Sequence, residues 1–284
     1  MRALAWALAC ALMCAPPVSA VGHSSGVAVL VYHNFVSDED AAKRPGLLDE
    51  MTMSRAQFRA QIELLRKDGA TFLTVEQFVA HVKGGAPAPR HSVLVAIDDG
   101  YESVYRIAWP ILREEKVPAL VALIVGATDE PAAWAAHHPG AAAHLTWAEC
   151  AEMTATLPEV GHPLVTLGSH TYDMHQNLAR EERELGAAER EAFRARLLAD
   201  LKKAREVVRA RTGGQTAALL VWPHGGSSAA LVEVARAAGH DGTFTDLGPV
   251  VRPGDDPMRM MRVHAGSGTR SRGALERNMR SAGW

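Results

Sequence analysis

The sequence predicts an α/β fold of parallel strands wrapped by helices, in a single domain of barrel size. Three observations carry this expectation. Short, β-branched, uninterrupted apolar runs alternate with helical patterns along the chain, and strands apolar on both faces belong to parallel sheets covered on each side. The 284 residues are close to the roughly 250 of one α/β barrel. Only three cysteines are present, two of them near the N-terminus, so the fold rests on a buried core rather than on disulfides.

The elements follow in order. Arg2, the apolar stretch Ala3 to Ala15 and the small-residue exit Val18-Ser19-Ala20 are the three parts of a secretory signal peptide, residues 1–20, cleaved after Ala20. Its apolar core is shorter than the about 20 residues of a membrane span, and no later segment reaches that length. The expectation is an exported protein, periplasmic or secreted, with no membrane span. Cys10 and Cys14 leave with the leader, and the bulky Leu12 and Met13 before Cys14 do not suit lipoprotein processing. Cys150 alone remains, although the compartment would permit a disulfide.

Val27 to Tyr32 reads as the first strand, followed by a loop over Asp38 to Met53. Ser54 with Gln57 caps an amphipathic helix carrying Phe58, Ile62 and Leu65 and ending near Gly69, and Thr74 with Gln77 starts another. Further strands are expected at Val93 to Ile97, Ala119 to Val125, Leu164 to Leu167 and Ala217 to Val221, with a second long loop over Thr128 to His144. Long loops in a barrel border the site. Arg180 to Arg211 is the longest helical pattern, its charges marking a solvated outer helix that Gly213-Gly214 ends. The formal charge is −2, with basic and acidic residues interspersed, which gives no support to nucleic acid or anionic membrane surfaces as partners.

The chemistry concentrates where strands end. Asp98-Asp99-Gly100 closes the run Ser92 to Ile97; adjacent carboxylates repel, and they serve one site only where the strand stops and the backbone turns, as Gly100 permits. A metal ion relieves that repulsion. His170 and His175 follow the strand at Leu164 to Leu167. Five residues apart, they do not share a helix face, so they converge from a loop or not at all. Two imidazoles and a carboxylate make a usual catalytic metal set with open positions. Trp222-Pro223-His224-Gly225 is a strand-end turn whose backbone N–H groups suit an oxyanion, and His264 ends a last strand. His33, after the first strand, either lines the same cleft or is a satisfied strand-end histidine. Trp109, Trp134 and Trp147 either stack on sugars or pack, and His137 and His138 read as solvent-facing.

Together, Asp98-Asp99-Gly100, Ser169-His170-Thr171 with His175, Trp222-Pro223-His224-Gly225 and Val31-Tyr32-His33 resemble the NodB-homology polysaccharide deacetylases. The branch most similar is that of the exported poly-β-1,6-N-acetylglucosamine N-deacetylases of biofilm formation. The resemblance covers about Val27 to His264 and assigns residues 21–284 to one deacetylase domain. It implies a distorted (β/α)7-type barrel with a divalent metal, zinc in most members and nickel or cobalt in others. Asp99, His170 and His175 would hold that metal, and Asp98 would be the general base. The His224 N–H would bind the oxyanion, His264 would be the general acid, and His33, Trp222 and Pro223 would contact substrate.

The chain departs from the family pattern at Ile97, where an aromatic usually precedes the two aspartates, and at His224, where Tyr or Phe usually follows the proline. The arginine that orients the base in many relatives is not assigned. The larger relatives carry a second, glycoside-hydrolase domain, whereas this chain ends at Trp284, so a separate export or hydrolase partner is expected, or none. The implied reaction is metal-dependent removal of acetyl from N-acetylglucosamine units. Two other readings stand beside it: a catalytically idle, metal-containing carbohydrate-binding protein, and a glycosidase pairing Asp98 with a second carboxylate, which leaves His170 and His175 unexplained.

Overall fold

A computed structural model describes residues 26–49, 51–214, 218–246, 248, 250–265, 275–276 and 279–280. Residues 1–20, expected to be a signal peptide, lie outside the described residues. Ten strands are present among them: β1 Val27–Tyr32, β2 Asn34–Val36, β3 Thr52–Ser54, β4 Thr71–Phe72, β5 Ser92–Ile97, β6 Ala119–Leu123, β7 Val165–Ser169, β8 Leu219–Val221, β9 Gly242–Phe244 and β10 Val263–His264.

The main sheet runs β10-β1-β5-β6-β7-β8-β9, with β4 beside the start of β5, and its neighbours pair in parallel. The segment before β10 bridges β9 at Met260, while Val263 pairs with Leu30 of β1. One segment therefore joins both ends of the strand series and curls the sheet into the barrel the sequence predicts.

Strand alternation divides the apolar side chains between two faces. Val29, Leu94, Ala96, Leu120, Ala122, Leu219, Val221 and Phe244 meet inside the curl, where Phe78 and Val82 of the helix Val75–Val82 join them. Leu30, Tyr32, Val95, Ile97, Val121 and Leu167 point outward against Phe58, Ile62 and the helix Trp109–Glu114. Both helix starts expected from Ser54 and Thr74 form as reciprocal capping boxes, Gln57 and Gln77 returning the bond to the cap N–H.

Three expectations are corrected. The segment Asp38 to Met53 holds the helix Asp38–Lys43, which Ser37 caps, and leads into β3, which pairs with β2. Within Thr128 to His144 lies the helix Pro131–His137, which Pro131 starts. The pattern Arg180 to Arg211 is two helices, Leu178–Glu184 and Ala187–Arg211. Leu185 and Gly186 are extended, and the Glu189 carboxylate accepts from the Gly186 N–H to start the second. No described helix is long and apolar enough to cross a membrane.

Candidate metal and catalytic centre

Six strands deliver polar groups to the C-terminal end of the sheet, the end at which barrel active sites form. The Asp98 N–H still bonds Tyr32 O of β1, but Asp99 and Gly100 are both left-handed, at φ 69° and 73°. The reversal turns the two carboxylates to different partners. At Gly100 a Cβ would lie 2.6 Å from Leu123 Cδ2 on a left-handed backbone, so a substitute there is strained. Aspartate tolerates this backbone region better than most residues, and the arrangement stores strain on the order of 1 kcal/mol at a functional position.

Asp99 Oδ1 lies 3.3 Å from His170 Nε2 and 3.2 Å from His175 Nε2. One potential ligand atom from each residue falls within 4.8 Å of the others. His170 Nδ1 donates to Val221 O of β8 at 2.8 Å, which leaves Nε2 with its lone pair toward Asp99. His175 Nε2 is buried and has no aligned hydrogen-bond partner despite its closeness to Asp99. An orphaned imidazole nitrogen, a fixed second imidazole and a carboxylate fit a divalent cation of the zinc type. Burial alone would raise the Asp99 carboxyl, yet the two imidazoles hold it well below the usual carboxylate range. Burial pushes His175 down, toward the neutral form a metal needs.

Asp98 stands apart from this trio. The fully buried Arg262 guanidinium, on the segment leading into β10, gives one nitrogen to both Asp98 oxygens at 2.8 Å and another to Asp246 Oδ1 at 2.5 Å. Asp246, just past β9, in turn faces His264 Nε2 at 3.8 Å. A chain of polar contacts thus runs from His264 through Asp246 and Arg262 to Asp98. Burial would raise Asp246, but Arg262 outweighs it and the net shift is downward. His33 Nε2 sits 3.7 Å from Asp98 Oδ2, and burial lowers its pKa despite both aspartates. His33 is thus buried beside Asp98 at the end of β1.

His224 adopts φ 54° in the turn Pro223–Gly225, with its ring 5.5 Å from that of His175. The turn's own bonds come from the Gly225 and Gly226 N–H groups, so the His224 N–H is not consumed by them. Trp222 and Pro223 are corrected: both are buried, Trp222 at 0% exposure among Phe193, Leu197, Leu201 and Leu231. Trp222 follows β8 directly and packs inward, whereas the left-handed turn leaves His224 exposed, so Trp222 supports the turn from beneath and offers no face to a ligand.

The other tryptophans also pack. Trp109 and Trp134 are buried, and Trp147 Nε1 donates to Asp129. His138 is not simply solvent-facing, since its ring stacks on Trp134 at 3.6 Å. The sequence reading missed Arg262 and Asp246, and also Tyr101, whose hydroxyl pKa is pushed up by burial and by the nearby Asp99 carboxylate and whose ring lies 5.0 Å from His144. An arginine inside the strand-like Met260 to His264, and an aspartate closing Thr243 to Thr245, were the available signals.

A profile of the polysaccharide deacetylase family matches residues 85–243. Among curated proteins, the poly-β-1,6-N-acetyl-D-glucosamine N-deacetylase of Escherichia coli K12 is 26% identical over 243 residues, covering 78% of this chain and 34% of that protein. The chain thus spans about a third of the length of the curated relatives it matches. Among solved structures, IcaB from Ammonifex degensii superposes with a TM-score of 0.67 at 25% identity, covering 89% of this chain and 97% of that one. A de-N-acetylase from Aggregatibacter actinomycetemcomitans gives 0.72 at 20% identity, covering 89% and 99%, and supports the fold.

Proposed function

We propose, since this chain belongs to the polysaccharide deacetylase family, that residues 21–284 act as one exported, metal-dependent deacetylase domain. Its substrate would be the N-acetylglucosamine units of an exported or envelope polysaccharide, poly-β-1,6-N-acetylglucosamine first among them. One observation carries the reading: Asp99, His170 and His175 converge within 4.8 Å while the adjacent Asp98 is held away from them by Arg262. The substrate class is supported by what the Escherichia coli relative is named for.

Amide hydrolysis needs an activated water, stabilisation of the developing oxyanion and a proton for the departing amine. A divalent cation, zinc or else nickel or cobalt, would be held by Asp99, His170 and His175 and would supply Lewis acidity and a lowered pKa for water. Asp98 takes the water proton, with its orientation set by the two contacts from Arg262. The His224 N–H faces the oxyanion, and His264, steadied by Asp246, gives a proton to the amine nitrogen. His33 beside Asp98 helps bind the acetyl end of the substrate. No covalent intermediate is required.

The test is acetate release from poly-N-acetylglucosamine and chitooligosaccharides by the purified protein, with zinc and then with chelator. Chelator-sensitive release is expected, whereas glycan binding without acetate would favour an idle carbohydrate-binding protein. Reducing ends insensitive to chelator would instead indicate a glycosidase. His264→Ala is expected to lower kcat by about 10²- to 10⁴-fold, the range of a lost general acid. A near-normal rate would return His264 to a structural role.

A further inference from the structure

His170 and His175 lie too far apart in sequence for one helix face, so something outside the motif must bend the loop between them. Among the described contacts, that role falls to Asp200, in the middle of the helix Ala187–Arg211. Its Oδ1 accepts from the Tyr172 N–H at 2.8 Å, and its Oδ2 accepts from the Asp173 and Met174 N–H groups at 2.8 and 3.1 Å. Three successive amides converging on one carboxylate form an anion nest, built here entirely from the residues between the two histidines.

The loop has features that need such an anchor. Thr171 is left-handed at φ 74°, and its hydroxyl is buried without a partner, a conformation that persists only where the surroundings impose it. One turn along the same helix, Lys203 places its ammonium 3.6 Å over the Tyr172 ring, a second grip on the same loop. The next local bond, from the His175 N–H to Asp173 O, then aims the His175 ring back at Asp99. Asp200 itself is not one of the three residues whose donor atoms converge.

We infer that Asp200 is a positioning residue of the metal centre: by gathering the Tyr172, Asp173 and Met174 amides it sets the separation of His170 and His175, and through it the affinity for the cation. The inference rests on the metal reading above. An alanine at 200 leaves these amides unsatisfied and an asparagine satisfies only part of them, and His175 then holds its place less often.

The experiment measures the Zn²⁺ dissociation constant of the full chain by chelator competition, for wild type, Asp200→Asn and Asp200→Ala, with the apo-protein Tm of each. Loss of an outer carboxylate that orients a ligand weakens metal binding about 10- to 100-fold, and that is the expected result for Asp200→Ala. Asp200→Asn retains one acceptor, stays folded and falls between. In acetate-release assays at saturating zinc, kcat should drop with KM little changed. Zinc affinity within twofold of wild type in Asp200→Asn, with only the apo Tm lowered, would make Asp200 a helix anchor and overturn the inference. If wild type itself bound no zinc, the metal reading would fail and this inference with it.

Discussion

His170→Ala is expected to abolish both bound zinc and acetate release. The imidazole is buried and its Nδ1 is held by Val221 O, which fixes Nε2 at the site, so its removal leaves the trio one ligand short. With Asp99 and His175 left as two ligands, affinity falls below what purification retains, and the rate falls beyond the range of a single proton-transfer residue. Asp98→Asn provides the contrast. It keeps the ligand trio, so metal stoichiometry measured by atomic emission should remain near wild type while kcat drops by about 10²- to 10⁴-fold. Loss of metal in Asp98→Asn, or its retention in His170→Ala, would show that the two adjacent aspartates had been assigned the wrong roles.

Arg262→Leu is expected to have the largest effect on stability. The guanidinium is fully buried and touches Asp98 and Asp246 together. Its removal leaves two carboxylates facing one another without a counter-charge. Breaking a buried pair by deleting one partner costs about 3–5 kcal/mol, on the order of 10 °C in Tm for a chain of this size. Arg262→Lys should rescue little, because a single ammonium cannot span two carboxylates as the planar fork does. The pH dependence has a definite sign. In the wild type Asp246 titrates below its ordinary value, so its stabilisation is complete above the normal carboxylate range and fades as pH falls through the folded value. Without Arg262 burial dominates and favours the neutral acid, so the difference between variant and wild type should shrink on acidification. Equal melting temperatures at neutral pH would show that the bridge contributes nothing.

Local signals made much of this molecule legible in its sequence. Unbroken apolar runs gave away the parallel strands, Ser54-Gln57 and Thr74-Gln77 marked helix starts, and Asp98-Asp99 announced itself as two carboxylates where a buried strand ends. His170 and His175 became meaningful only beside that pair. What stayed hidden is the long-range pairing. Arg262 meets Asp98 across 164 residues, and nothing near either residue names the other. Asp200 looked like one more charge on a solvated helix, since its partners are backbone amides that carry no residue signature. Trp222 misled because a motif position does not say which way a side chain points; the strand turned it inward.

The Arg262 bridge also bears on how the chain matures. During synthesis, Asp98 emerges long before the residue that steadies it, and the same late segment closes the sheet between β9 and β1. Such distant contacts form slowly, because the loop must close before either end gains. A nascent or truncated chain stopping short of residue 262 would therefore carry Asp99, His170 and His175 but an Asp98 without the guanidinium that holds it. On the proposed reading, Asp98 gains its fixed orientation only as the last strand docks.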